Sequence, residues 1–185
     1  MAEAMLAHQA ASRGFLADVR SAGLLFEGEP ADRFAVQALE AMDLDLTAHR
    51  SRVLTAGSVR GADLVLGMAR RHAREAAVLA PAAVGRCLTL KEIVRRGAEA
   101  GPQAPGQPVE EWLAELTAGR ENADLLGSSP EDDIEDPMGA SARVFAATAA
   151  EIEELTDSLA DLLWPPGRSP SPPSERGTHP ARSEP

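Results

Sequence analysis

Short apolar runs that alternate with helical patterns constrain the fold of this chain most strongly. Residues 63–68 form a near-continuous apolar run, and residues 87–90 form a second, shorter one. Such runs are typical of strands that are buried on both faces, as in parallel sheets. Helical patterns follow them at residues 70–79 and 91–96. This alternation predicts an α/β fold with a parallel sheet.

The other predicted elements flank this centre. An apolar helical face over residues 2–10 predicts a first helix that ends near Arg13 and Gly14. Residues 19–24 are interpreted as a strand, and Pro30 as part of the first turn of the next helix. Residues 97–110 are rich in Gly, Pro and Gln and are interpreted as a loop, before a short helix over residues 109–116. A seven-residue spacing of Phe145, Ile152 and Leu159 predicts a long last helix with an acidic outer face.

Composition divides the chain into two parts. Residues 1–164 have the apolar content of one globular domain. Residues 165–185 hold seven of the fourteen prolines, together with Ser, Arg and Glu. A segment of this kind buries little apolar surface, so we expect a disordered Pro/Ser-rich tail.

Charge and cysteine content disfavour several classes of function. The net charge is -11 and the pI is about 4.8, so the surface repels nucleic acid and anionic lipid. Apolar runs all fall short of the roughly 18 residues that a membrane span needs, and the chain does not open with a secretory signal pattern. One cysteine, Cys87, fits a reducing compartment. We therefore expect a cytoplasmic protein that binds neither nucleic acid nor membrane.

The order of short motifs resembles the low molecular weight protein-tyrosine phosphatase family. Residues 1–5, Met-Ala-Glu-Ala-Met, resemble the segment that follows the family's phosphate loop, a Cys-x5-Arg-Ser-Pro motif. Residues 21–23 are similar to its second-strand signature, and residues 45–52 to its His-x-x-Arg segment. Residues 63–68 resemble the third strand, and Asp136-Pro137 with Gly139 resembles the loop of the general acid. The resemblance covers residues 1 to about 164.

This resemblance implies a three-layer α/β fold and a phosphomonoester hydrolase that acts on phosphoprotein without a metal or another cofactor. In the family, a cysteine thiolate attacks phosphorus, and a helix N-terminus and an arginine hold the phosphoryl oxygens. By this comparison the first central strand and the phosphate loop would lie before Met1, so we expect the chain as given to be inactive and only marginally stable. Cys87 does not replace the missing nucleophile, because Ile93 stands where Cys-x5-Arg needs arginine. Its apolar surroundings predict a buried, inert thiol.

Three residues carry the roles that the resemblance implies. Asp136 matches the general acid that protonates the leaving oxygen, although it ends an acidic run, residues 131–136, whose other acids are interpreted as a solvated loop. Ser21 and His49 match residues that support the phosphate loop from beneath. In the alternative, structural interpretation, Ser21 is a hydroxyl at the end of a strand and His49 is a surface histidine. Arg52 likewise has a structural interpretation, as a salt-bridge partner. No histidine or acidic cluster has the spacing of a metal site.

Two histories and two substrate classes remain open from the sequence. The start is either set too late, at an internal methionine, or the chain is a true remnant that serves as a non-catalytic binding module. Met138 stands where tyrosine phosphatases of the family often carry an aromatic residue, so phosphotyrosine and phosphoarginine both remain possible substrates. A single cysteine argues against arsenate reduction, which relatives perform with additional cysteines.

Overall fold

A small parallel sheet lies at the centre of the molecule. The structure is a computed structural model that describes residues 1–165. Strand β1 is Val65–Gly67 and strand β2 is Cys87–Thr89, and they pair in parallel with Val65 opposite Cys87. Both strands lie within the apolar runs that predicted them. The α/β class with a parallel sheet is therefore confirmed.

Helices account for most of the remaining structure. The described residues contain the α-helices α1 (Ala2–Ser12), α2 (Arg33–Glu40), α3 (Ala56–Gly61), α4 (Arg70–Leu79), α5 (Leu90–Ala100), α6 (Val109–Leu116) and α7 (Ala142–Leu163). They also contain two short 3₁₀ helices, Pro81–Arg86 and Asn122–Leu125. The predicted helices over residues 70–79 and 109–116 are confirmed with these bounds.

The sheet separates two apolar clusters, because neighbouring side chains of a strand point to opposite faces. On β2, Cys87 belongs to the smaller cluster and Leu88 to the larger one. On β1, Val65 packs against the smaller cluster and Leu66 against the larger one. Helices α3 and α4 supply the smaller cluster, and α1, α2, α5, α6 and α7 supply the larger. The chain therefore has the three layers expected of the fold.

Helix α1 packs against α7, near the other end of the described chain. Phe15, just beyond α1, stacks on Trp164 with 6.0 Å between ring centroids. Arg13 Nη2 lies 2.9 Å from Asp157 Oδ1 and 2.7 Å from Asp161 Oδ1 on α7. These contacts join segments more than 140 residues apart in the sequence.

Three predictions about the connecting segments are wrong. Residues 19–24 do not form a strand; only Gly23 pairs, in an isolated parallel bridge with Val53. Pro30 forms an isolated antiparallel bridge with Arg50, and α2 begins three residues later because Asp32 caps it by accepting the N–H of Phe34 at 2.7 Å. The predicted loop over residues 97–110 is shorter, since α5 continues to Ala100 before Gly101 adopts a φ of 94°.

The last features to compare with the sequence are the tail, membrane spans and metal sites. The predicted disorder of the tail concerns residues that, except for Pro165, lie outside the described ones. Across residues 1–165, no helix is long and apolar enough to span a bilayer. In that same part of the chain, no three His, Cys, Asp or Glu side chains gather in a way that could hold a metal ion.

Candidate active site

Glu3, in the first turn of α1, gathers the residues that were predicted to support a phosphate loop. Its Oε2 accepts the backbone N–H of Ser21 at 3.0 Å and also the Ser21 hydroxyl. His49 Nδ1 lies 3.8 Å from the same oxygen, and Arg52 Nη2 lies 3.2 Å from Oε1. Ser21, His49 and Arg52 are therefore brought together by a residue that sequence reasoning did not single out. The one sign of Glu3 in the sequence is its position in the first turn of a predicted helix, where carboxylates are stabilised.

Local backbone pairing places these side chains. The N–H of Gly23 donates to the carbonyl of Arg52 at 2.7 Å, and the N–H of Leu54 donates to the carbonyl of Gly23 at 2.8 Å. This short parallel pairing brings the segment of Ser21 alongside that of Arg52. The interpretation of Arg52 as a salt-bridge partner is confirmed, with Glu3 as the partner.

His49 is placed by a turn that begins at Asp45. The Asp45 carboxylate accepts the hydroxyl of Thr47 at 2.6 Å and its N–H at 2.8 Å, and these two bonds hold the pKa of Asp45 below its usual value. Leu46 is buried beneath the turn, and its carbonyl accepts the N–H of His49 at 3.1 Å. His49 itself is only 23% exposed, so it is not a freely solvated surface histidine.

An open cavity of about 470 Å³ lies over this cluster. Its lining includes the polar residues Glu3, Asp45, His49, Arg50 and Arg52, along with apolar residues of α1 and Val19. The cavity thus places charged groups of both signs around the first turns of α1.

Asp136 makes its contacts in a second location. Its Oδ1 accepts the N–H of Met138 at 3.1 Å, and Gly139 completes the turn with a φ of 80°, which a glycine adopts readily. Arg71 Nη2 lies 3.5 Å from Asp136 Oδ2. Both side chains are more than half exposed, so this ion pair is weak and solvent reaches the carboxylate.

The Asp136 loop is fixed at the carboxyl end of β1. The N–H of Ile134 donates to the carbonyl of Met68, the residue that follows β1, at 2.7 Å. Ile134 is buried, whereas Met138 is 66% exposed. In open α/β sheets, ligands bind beyond the carboxyl ends of the strands. The loop therefore presents Asp136 at the edge of the sheet where a ligand is expected.

His72, in the first turn of α4, completes the surroundings of this loop. Arg71 Nε donates to His72 Nε2 at 3.0 Å, so this nitrogen is the acceptor of a neutral ring. Burial lowers the pKa of His72, and the Arg71 charge lowers it further, against the opposing charges of Asp136 and Asp133.

The prediction of a solvated acidic run is wrong for Asp132. Its side chain is 6% exposed and lies between Arg70 and Arg95, at 2.7 Å and 2.8 Å. A buried carboxylate needs such partners, and these lie 62 and 37 residues away in the sequence. The prediction that Cys87 is buried is confirmed, and burial raises the pKa of its thiol.

Similarity to known proteins agrees with this architecture. The sequence model of the low molecular weight phosphotyrosine protein phosphatases matches residues 1–105, more than half of the chain. A mutant of YwlE from Bacillus subtilis is similar in structure, with 28% identity, 86% of each chain covered and a TM-score of 0.63. A low molecular weight protein tyrosine phosphatase from T. tengcongensis shares 29% identity over 88% of each chain, with a TM-score of 0.64.

A further solved structure supports the fold alone. Wzb from Vibrio vulnificus, in complex with benzylphosphonate, shares 22% identity over 88% of each chain, with a TM-score of 0.61. Among curated proteins, none matches the chain significantly. The family model matches more than half of the chain, and solved structures of such phosphatases have a similar fold. This chain therefore belongs to the low molecular weight phosphotyrosine protein phosphatase family.

Proposed function

We propose that the protein is a phosphomonoester hydrolase that acts on phosphoprotein, with Asp136 as the general acid. The observation that carries the proposal is the position of Asp136 in a fixed, solvent-accessible turn at the carboxyl end of β1. A general acid must reach the leaving oxygen of a bound substrate, and an exposed carboxyl at this edge of the sheet meets that requirement.

The proposed reaction has two steps. A cysteine thiolate attacks phosphorus while Asp136 donates its proton to the departing oxygen, which gives a cysteinyl phosphate and the free hydroxyl. Water then attacks phosphorus, Asp136 takes a proton from it, and phosphate and the thiolate leave. Arg71 holds the Asp136 side chain only weakly, since both side chains are largely in solvent.

The support residues belong to the same proposal. Ser21 and His49, held by Glu3 beside the N-terminus of α1, lie where a phosphate loop that precedes α1 would rest on them. A helix N-terminus favours a phosphoryl group through its unpaired N–H groups and its dipole. A form of the chain that carries the family's Cys-x5-Arg segment before Met1 would place that segment beside these residues.

Residues 1–185 by themselves do not supply the nucleophile. Cys87 is buried on β2 and is followed at the sixth position by Ile93 rather than arginine. We therefore expect the 185-residue chain to hydrolyse neither aryl phosphates nor peptides that carry phosphotyrosine or phosphoarginine. Turnover that alkylation abolishes, and that Cys87→Ser removes, would contradict this expectation.

The role of Asp136 is tested in a form that carries the Cys-x5-Arg segment. Asp136→Asn should slow the hydrolysis of phosphates with poor leaving groups by about 10²–10⁴-fold, and of nitrophenyl phosphate much less. Glu135→Gln, a change to the adjacent exposed acid, is the matched control and should have little effect. Equal effects of the two variants would mean that the charge of the loop matters rather than one proton donor.

The alternative, a binding module without catalysis, predicts a different result. The intact mass of the native protein would then equal that of the 19.4 kDa chain, and no phosphatase activity would accompany it. A heavier protein whose additional segment contains Cys-x5-Arg supports the hydrolase.

A further inference from the structure

The acidic run over residues 131–136 is divided into an anchored part and an exposed part. Asp132 and Ile134 are buried, whereas Glu135 and Asp136 are exposed. Such a division places the fixed point of the loop only a few residues before its candidate proton donor.

Asp132 is bound by arginines from two different helices. Arg70, the first residue of α4, donates from Nε at 2.8 Å and from Nη2 at 2.7 Å to Oδ2. Arg95 of α5 donates from Nη2 to Oδ1 at 2.8 Å. Burial opposes ionisation of Asp132, but the hydrogen bonds from Arg95 and Arg70 outweigh it and hold its pKa below the usual value. Both carboxylate oxygens are therefore engaged by charged donors, the strongest kind of hydrogen bond.

Asp133 attaches the same loop to the backbone of α4. Helix α4 begins without a side-chain cap, because Ala69 occupies that position. Asp133 Oδ1 instead accepts the N–H of Arg70 at 2.7 Å, and its Oδ2 accepts the N–H of Ser129 at 3.1 Å. A carboxylate in this place satisfies a free N–H and complements the helix dipole.

The first turn of α4 therefore contacts the loop in two places, at its buried acids and at Asp136. Arg70 binds Asp132 with its side chain and Asp133 with its backbone, and the next residue, Arg71, lies beside Asp136. Lys91 of α5 adds a third attachment by donating to the carbonyl of Asp133 at 2.9 Å. The path of the chain from residue 132 to residue 136 is thus defined by α4 and α5 rather than by the loop itself.

We propose that Asp132, held between Arg70 and Arg95, is a positioning residue that fixes the Asp136 loop for proton transfer. This inference rests on the proposed role of Asp136. Catalytic groups displaced by about 1 Å can lose about 10²-fold in rate, so a loop that carries a proton donor benefits from a charged anchor. Asp132 acts here only through the backbone and never touches the substrate.

The first test uses the 185-residue chain and amide hydrogen exchange measured by NMR. Asp132→Asn should speed exchange of the amides of Ile134, Met138 and Ala140 by at least about tenfold. An increase of this size corresponds to the loss of one charge-assisted hydrogen bond that stabilises the loop. The amide of Ile152 in α7 reports global opening and should change less. Glu131→Gln, a change to an exposed acid of the same run, should leave all of these amides unchanged. Equal acceleration in the loop and in α7, or none in the loop, would overturn the inference.

The second test uses the form that carries the Cys-x5-Arg segment. Asp132→Asn should slow hydrolysis of poor leaving groups about tenfold or more with Asp136 present, and should add nothing in the Asp136→Asn background. Asp132→Glu, which keeps the charge, should restore part of the rate. If Asp136→Asn itself has no effect, the proposed function fails. If it slows the reaction but Asp132→Asn slows both backgrounds equally, only the positioning role is refuted.

Discussion

Replacing Glu92 with glutamine tests how much stability the buried charges of α5 provide. The Glu92 side chain is 5% exposed. Its Oε1 lies 3.0 Å from Arg96 Nε and 3.0 Å from Arg120 Nε, and its Oε2 accepts from Arg120 Nη2 at 3.1 Å. Arg120 is itself only 6% exposed, and it also donates to the carbonyls of Val84 and Cys87. The network thus joins α5 to the start of β2 and to the segment before it.

The magnitude follows from what the glutamine leaves behind. Both oxygens of Glu92 face guanidinium donors, so either orientation of a glutamine amide places an N–H₂ group against a donor. Arg120 would then remain buried with its charge uncompensated. Removing one partner of a buried ion pair costs about 3–5 kcal/mol. Because glutamine keeps one acceptor and most of the packing, we expect about 3 kcal/mol for Glu92→Gln.

Urea denaturation measures this difference. With a slope of roughly 1–3 kcal/mol/M, a loss of about 3 kcal/mol lowers the midpoint by roughly 1–3 M. Arg96 is 21% exposed and can be solvated, so Arg96→Met should cost about 1 kcal/mol. Glu153→Gln, on the exposed face of α7, is the control and should stay within about 0.5 kcal/mol of the wild type.

Two results would refute this reasoning. One is a Glu92→Gln midpoint within about 0.3 M of the wild type, which would mean that Arg120 finds water or another partner. The other concerns the double variant Glu92→Leu with Arg120→Met. Replacing a whole buried pair with apolar residues is often neutral, so this double variant should be more stable than Glu92→Gln alone.

Two further predictions concern packing and pH. A Cβ at Gly67 would lie 2.8 Å from the backbone nitrogen of Ala73, so Gly67→Ala should cost about 3 kcal/mol in urea denaturation. At Gly97 the Cβ would meet only the flexible side chain of Leu162, and the helical preference of alanine offsets about 1 kcal/mol, so Gly97→Ala should cost clearly less. The opposite order would contradict the packing described here. The lowered pKa of Asp132 means that its contribution is complete above the unfolded-state pKa of about 4 and is lost as the pH falls through the lower folded value. The stability of Asp132→Asn should therefore fall less than that of the wild type between pH 5 and pH 3, and parallel curves would show that Asp132 does not titrate in this way.

The sequence predicted the elements whose signal is local. The apolar runs of β1 and β2, and the helical patterns of α4 and α6, needed no knowledge of distant residues. A strand over residues 19–24 was wrong because pairing, not apolar content, makes a strand. In the described residues the pairing of this segment is confined to Gly23 with Val53.

The candidate site was only partly accessible from the sequence. The resemblance to the family led to Asp136 through its Asp-Pro-x-Gly context, which is a local motif. The burial of Asp132 depends on Arg70 and Arg95, which belong to other helices, so the acidic run looked uniformly solvated. Glu3 was missed for the same reason, since its partners Ser21 and Arg52 come from distant loops.

Because the chain is synthesised from its N-terminus, helix α1 can pack against α7 only at the end of synthesis. About 130 residues separate the end of α1 from the start of α7. At roughly 5–20 residues per second, the ribosome needs roughly 6–26 s to produce them. During that time the apolar face of α1, with Met5 and Leu6, is without its largest partner, whereas β1, α4 and β2 can pack as soon as residue 89 has emerged. The apolar face of α1 therefore lacks this partner until the last helix has left the ribosome.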